Sequence, residues 1–133
     1  MKRSWLAVAA AAAQACSPAT GPVPGRPVDV ELSLHETEVV PGTALALTLD
    51  RVVGDSRCPV EVMCVWAGNA EVQVSATLPG NALEAHRLNS FLDPRVFEVG
   101  GYRVTFRRLF PEPREGAPID SADYRLDLSV EGF

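Results

Sequence analysis

At 133 residues the chain has room for one domain and little more. Lys and Arg number 12 against 17 Asp and Glu, a net charge of −5, so a phosphate backbone is repelled and nucleic acid is excluded as a partner. Three cysteines and two histidines leave little material for a metal centre or a catalytic triad.

The first element in chain order is not part of a fold. Lys2 and Arg3 precede an unbroken apolar run, Trp5 to Ala13, and Ala13 and Ala15 place small residues where a signal peptidase reads, directly before Cys16. Residues 1–15 are therefore predicted to be a secretory signal. The run is far short of the roughly 20 residues of a membrane-spanning helix. The segment also resembles a bacterial lipoprotein signal, in which the cysteine at Cys16 takes a diacylglycerol and then an acyl chain. Cysteine arithmetic agrees, because lipidating Cys16 leaves Cys58 and Cys64 as an even pair. Ser17 after that cysteine implies, by the same resemblance, an outer-membrane lipoprotein facing the periplasm. Cleavage by the ordinary signal peptidase, giving a secreted soluble protein, is the alternative.

Residues 16–27 then form a lipidated cysteine and tether. Ser17 to Pro27 holds four prolines and two glycines without apolar periodicity. In polyproline geometry it would hold the domain up to about 34 Å from the bilayer. Loss of Lys2 and Arg3 leaves 10 Arg against 17 acidic residues, a net charge near −7, and no lysine. Such a surface does not favour lying flat on anionic lipid, so the membrane is expected as a partner only through the N-terminal lipid.

From residue 28 to 133 the pattern has period two, which predicts a single all-β domain. Val28, Val30, Leu32 and Leu34 alternate with polar residues until Pro41-Gly42, and Leu45, Leu47 and Leu49 resume the run. Ala70 to Leu78 and Tyr124 to Val130 alternate in the same way. Pro79-Gly80-Asn81 reads as a turn. Gly100-Gly101 reads as a two-residue hairpin, setting Phe97 opposite Val104 and Glu98 opposite Arg103. About seven strands and no helix indicate an antiparallel β-sandwich or small barrel. Pro111 begins a long loop ending near Ser121.

The chemically dense stretch is Asp55-Ser56-Arg57-Cys58-Pro59, followed by Cys64-Val65-Trp66-Ala67-Gly68. Redox catalysis is disfavoured because five residues separate Cys58 from Cys64 and no βαβ context surrounds them. A metal site would need ligands beyond these two, with Met63, His35 and His86 as the remaining candidates. A disulfide suits an exported chain best. Pro59 is expected to open a short turn, capped by Asp55 or Ser56. Arg57 is expected to pair with Asp55 or a nearby carbonyl. Strand parity carried back from Ala70 puts Trp66 in the core, with Gly68 allowing a bulge or close packing beside the indole.

These residues, with Asn69-Ala70 and the later Leu109-Phe110-Pro111-Glu112-Pro113, Ile119 and Tyr124, resemble the signature of a family of small bacterial exported proteins and lipoproteins of unassigned function. The resemblance implies a secreted β domain and supplies no catalytic residues. Elsewhere, Asp55 with Glu61 and Asp120 with Asp123 are carboxylate pairs that hydrolysis or calcium would use, although solvated loop charge is the simpler reading. Arg103 and Arg107 share one parity and Arg108 the other; salt bridges to Asp123 or Asp127 on a neighbouring strand are expected, with an anion site as the alternative. No catalytic residue, metal or cofactor is expected. The function that follows is an envelope-anchored binding or accessory domain, with a possible envelope protein as partner. A small-molecule or metal carrier, or an inhibitor of a secreted hydrolase, is the alternative.

Overall fold

The computed structural model describes residues 26–133. The expected signal at 1–15, Cys16 and nearly all of the tether therefore lie outside the described residues. The rest is an all-β sandwich of two four-stranded antiparallel sheets. In chain order the strands are β1 (Val28–Ser33), β2 (Thr37–Val39), β3 (Ala46–Asp55), β4 (Ala70–Thr77), β5 (Glu84–Asn89), β6 (Val96–Val99), β7 (Tyr102–Phe110) and β8 (Arg125–Gly132). One sheet has the order β1-β8-β7-β6 and the other β2-β3-β4-β5.

Alternation creates the core. In β8, Leu126, Leu128, Val130 and Gly132 point inward while the intervening residues are more exposed, and β1 meets it with Val30 and Leu32. From the facing sheet Leu47, Leu49, Val72, Val74 and Leu88 are fully buried. The inner faces of two stacked sheets are expected to fill a layer about 10 Å thick in this way. The hairpin register is the one expected, with Phe97 opposite Val104 and Glu98 opposite Arg103, whose Nη2 reaches the Glu98 carboxylate at 3.1 Å. Asn81 N donates to Leu78 O at 3.1 Å and closes the Pro79-Gly80 turn.

Eight strands agree with the expected count of about seven; β2, a three-residue, fully exposed edge, is too short to show alternation. Three local expectations are corrected. The first run ends at Leu34, not at Pro41, since His35 adopts a left-handed φ of 65° and hands the chain from one sheet to the other. In β7 the register shifts between Phe106 and Arg108. This bulge turns Arg107 and Arg108 both outward, where strict parity would have separated them. The expected bridges from Arg103, Arg107 or Arg108 to Asp123 or Asp127 do not form: Arg103 takes Glu98, and Arg108 lies 5.2 Å over the Phe110 ring.

The sandwich has two distinct poles. At one, β1 starts with Val28 opposite Val130, beside the Gly100-Gly101 hairpin and Phe133, whose amide donates to Gly101 O. At the other lie the connections β3–β4 (56–69), β5–β6 (90–95) and β7–β8 (111–124). Eight residues of β8 separate the poles, about 27 Å at strand rise.

Cys58 and Cys64 are joined as a disulfide at the loop-bearing pole, with a Cα–Cα distance of 6.0 Å. It closes a short loop outside the core. Replacing both cysteines by serine is therefore expected to preserve the sandwich and lower stability by about 2 to 2.5 kcal/mol on the chain-entropy estimate. Urea denaturation of the mature protein measures this, and an unchanged midpoint would show that the disulfide adds nothing to the noncovalent ties.

Candidate functional site

The loop-bearing pole is built from Asp55 upward. Asp55 ends β3, and its carboxylate receives Arg57 Nε at 2.8 Å and Nη2 at 2.7 Å. The other side of the guanidinium donates to Leu109 O at 2.6 Å and Pro111 O at 2.9 Å. Tyr124 completes the cluster, its hydroxyl donating to Asp55 Oδ2 at 2.9 Å. Asp55 belongs to one sheet, while Leu109 lies in a strand of the other and Tyr124 enters β8, so the cluster ties both sheets together. The expectation that Arg57 pairs with Asp55 or with a carbonyl is met on both counts.

Burial by itself pushes the Asp55 carboxyl up, but hydrogen bonds from Arg57 and Tyr124 and the guanidinium charge outweigh it and hold it below its ordinary 3.8. Burial first, then the Asp55 hydrogen bond and charge, push the Tyr124 hydroxyl up to about 12. The cluster is thus fixed with Asp55 ionised and Tyr124 neutral. An acid–base pair near neutrality would need the opposite displacements.

A second set of contacts fixes the loops above this cluster. Ser56 N donates to Asn69 O at 2.8 Å and Ser56 Oγ accepts from Asn69 N at 3.1 Å. Gly68, with φ 70°, lets the strands of the loop close: a Cβ there would lie 1.9 Å from Ser56 O. Asn69 Nδ2 donates to Asn89 Oδ1 at 2.9 Å, and Asn69 Oδ1 accepts the amides of Phe91 and Leu92 at 3.0 and 3.1 Å. Val60 N donates to Pro113 O at 3.0 Å, and Glu61 receives Arg114 Nη1 at 3.2 Å and Glu115 N at 3.0 Å. Pro59 does open a turn, since Val62 N donates to Pro59 O. Neither Asp55 nor Ser56 caps it, because Asp55 Oδ1 accepts the Arg57 amide and Ser56 is engaged with Asn69.

Trp66 is not core. It is 83% exposed, beside Val65 at 91% and Met63 at 99%. The parity argument fails because the ladder starts only at Ala70 and the left-handed Gly68 interrupts the extended chain between. Phe91 and Leu92, 62% and 55% exposed, stand across from Trp66 and Val65 over a floor of Gly68 and Asn69. Together they form an open groove of about 530 Å³. Its polar floor side chains, Ser56 and Asn69, already have hydrogen-bond partners within the protein. The groove therefore offers apolar contact and no free side-chain amide or hydroxyl to orient a polar ligand.

Other candidate residues are dispersed. Asp55 and Glu61 each have their own arginine and do not form a carboxylate pair. Asp120 Oδ1 accepts Ala122 N and caps a 3₁₀ turn at Ser121–Asp123. His86 stacks on Phe97 with centroids 4.0 Å apart and reaches Glu84 at 3.0 Å, while His35 sits in the β1–β2 turn and Met63, next to Cys64, is fully exposed. Among the described residues no three His, Cys, Asp or Glu side chains gather as a metal ion would require. Phe91 and Leu92 were invisible to strand parity because they lie in a connection. The only signal was an apolar pair set between Ser90 and Asp93-Pro94, where turn residues would otherwise be polar.

Comparison of the chain with protein families, curated proteins and solved structures finds no match.

The Asp55 cluster has a defined response to pH. A carboxyl held lower in the folded than in the unfolded protein contributes stability above about 3.8, its unfolded value, and loses it as pH falls through the depressed folded value. Asp55→Asn is expected to cost about 1.5 to 3 kcal/mol at neutral pH, the range for a hydrogen bond to a charged group. The gap from wild type should narrow as pH falls below 4. Urea denaturation from pH 7 to 3 tests this, and a gap independent of pH would remove the ionised Asp55 from the account.

Proposed function

We propose that this protein is an envelope-anchored binding module that docks an apolar surface of another envelope protein on the Trp66 pole. The observation that carries this reading is the combination of rigidity and exposure. Trp66, Val65, Met63, Phe91 and Leu92 project into solvent from loops held by a disulfide, a partly buried ion pair and the Asn69 hydrogen bonds. Large apolar side chains presented together on a fixed frame are the usual anchors of a protein contact.

Three further features support the module. The described chain starts at the opposite pole, so a lipid at Cys16 would leave the apolar tip facing away from its own attachment. The composition of the first 15 residues supports export, and the cysteine count supports lipidation. The ionised, fully engaged Asp55 cluster supports architecture over catalysis, because its acid and base are displaced away from neutral pH. An inhibitor of a secreted hydrolase is the special case in which the docked surface is an active-site cleft.

The test uses intact cells. A photo-crosslinking residue at Trp66 or Phe91 is expected to capture one discrete partner, and the same residue at Glu131 none. Trp66→Ser should abolish the Phe91 adduct while leaving Tm within about 1 °C, since an exposed side chain contributes little to folding. Equal capture from Glu131, or an adduct indifferent to Trp66→Ser, would overturn the docking surface. The anchor is read separately, from the mass of the mature N-terminus: a diacylglyceryl, acylated Cys16 is expected, and an unmodified cysteine there would make the module a soluble one.

A further inference from the structure

The outer face of the β1-β8-β7-β6 sheet holds charges that do not neutralise one another. Arg57, Arg87, Arg103, Arg114 and Arg125 each reach a carboxylate, and Arg51 bonds the Gln73 amide. Arg95, Arg107 and Arg108 have no such partner among the described residues, and all three line one concavity of about 310 Å³. The β7 bulge is what brings them together. It turns Arg107 and Arg108 to the same face, and the backbone of Arg95 is pinned beside them, its carbonyl accepting Phe106 N at 2.8 Å. Three guanidinium groups without a salt bridge thus gather at one place in an acidic protein.

The same concavity is walled by Asp29 and Asp127. Asp127 lies directly across the ladder from Arg108, yet no salt bridge closes between them because Arg108 sits over the Phe110 ring. On its other side Asp127 faces Glu31. Burial, then the charge of Glu31 and to a smaller degree that of Asp29, push the Asp127 carboxyl up, with Arg108 opposing. Asp127 thus feels the charge of Arg108 without a closed salt bridge, and Arg95, Arg107 and Arg108 likewise close none among the described residues.

We propose that this concavity is a binding site for a small zwitterion, its carboxylate held by Arg95, Arg107 and Arg108 and its ammonium by Asp127 and Asp29. A plain anion would leave the two aspartates without a counter-charge, and a plain cation would leave the three arginines without one. Arginine suits the carboxylate because its planar fork offers two parallel N–H donors. The volume is at the lower end for a ligand site, which fits a free amino acid or dipeptide. The Phe110 ring, under Arg108, supplies apolar surface beside one guanidinium. This site is independent of the apolar pole and stands whether or not a protein docks there.

The experiment is an amide NMR titration of the mature protein with alanine and Ala-Ala, and with N-acetyl-Ala-Ala and Ala-Ala amide as probes lacking one charge. The expected result is saturable movement of the Arg107, Arg108 and Asp127 resonances with alanine or Ala-Ala. Each blocked peptide should bind about tenfold or more weakly than Ala-Ala. Arg107→Gln and Asp127→Asn should each weaken binding by a similar factor without altering the spectrum of the core. No movement with any zwitterion would overturn the site. An acetylated peptide binding as well as the free one, or affinity unchanged in both variants, would overturn the recognition of two charges.

Discussion

Arg57 has five N–H donors, and four hydrogen bonds from them reach a carboxylate on one sheet and two carbonyls at the end of a strand on the other. A β-sandwich is held by its core, but its poles are where connections must leave and return, and backbone groups there have no ladder partners. At this pole the guanidinium satisfies Leu109 O and Pro111 O just where β7 stops pairing. The charge is admitted to a half-closed place because Asp55 is beside it and Tyr124 bonds the carboxylate's second oxygen. Loss of one member leaves the others partly buried without their complements, which is why such clusters are costly to break although they are modest contributors when intact.

The rest of the pole is stacked on that cluster in a definite order. Arg57 fixes the start of the β3–β4 connection, Ser56 and Asn69 close its stem, and Gly68 permits the approach that this closure requires. Asn69 then reaches sideways to hold the β5–β6 loop by two amides, and Glu61 reaches the other way to hold the β7–β8 loop. The disulfide sits at the outer end of this chain of contacts, so its role is to restrict the tip rather than to support the core.

How much of this could be read in the sequence followed from which interactions are local. Strand alternation is local, and so β1, β4 and β8 and the Phe97–Val104 register were legible from residue order. The pairing of Cys58 with Cys64 was legible too, because compartment and parity of number constrain it. Trp66 was not, because parity is informative only while the chain stays extended, and Gly68 ends that extension two residues later. The β7 bulge escaped for a related reason: Arg107 and Arg108 look alike in sequence, and only the partner strand shows which residue is extra. Phe91 and Leu92 were hidden because their place in the site depends on Asn69, a contact across 22 positions.

The exposure of Trp66 and Met63 has a physical cost that the fold does not recover, since neither side chain gains burial from the sandwich. An unbraced loop would relieve that cost by folding the indole back over the sheet end. Here the disulfide, the left-handed Gly68 and the twofold hold of Asn69 forbid the collapse. The same restraints remove most of the ordering entropy that a flexible loop would lose on meeting a partner. Rigidity that keeps apolar surface in water is unfavourable for an isolated domain and favourable for one that docks, and on this balance rests the proposal that the Trp66 pole is a contact surface.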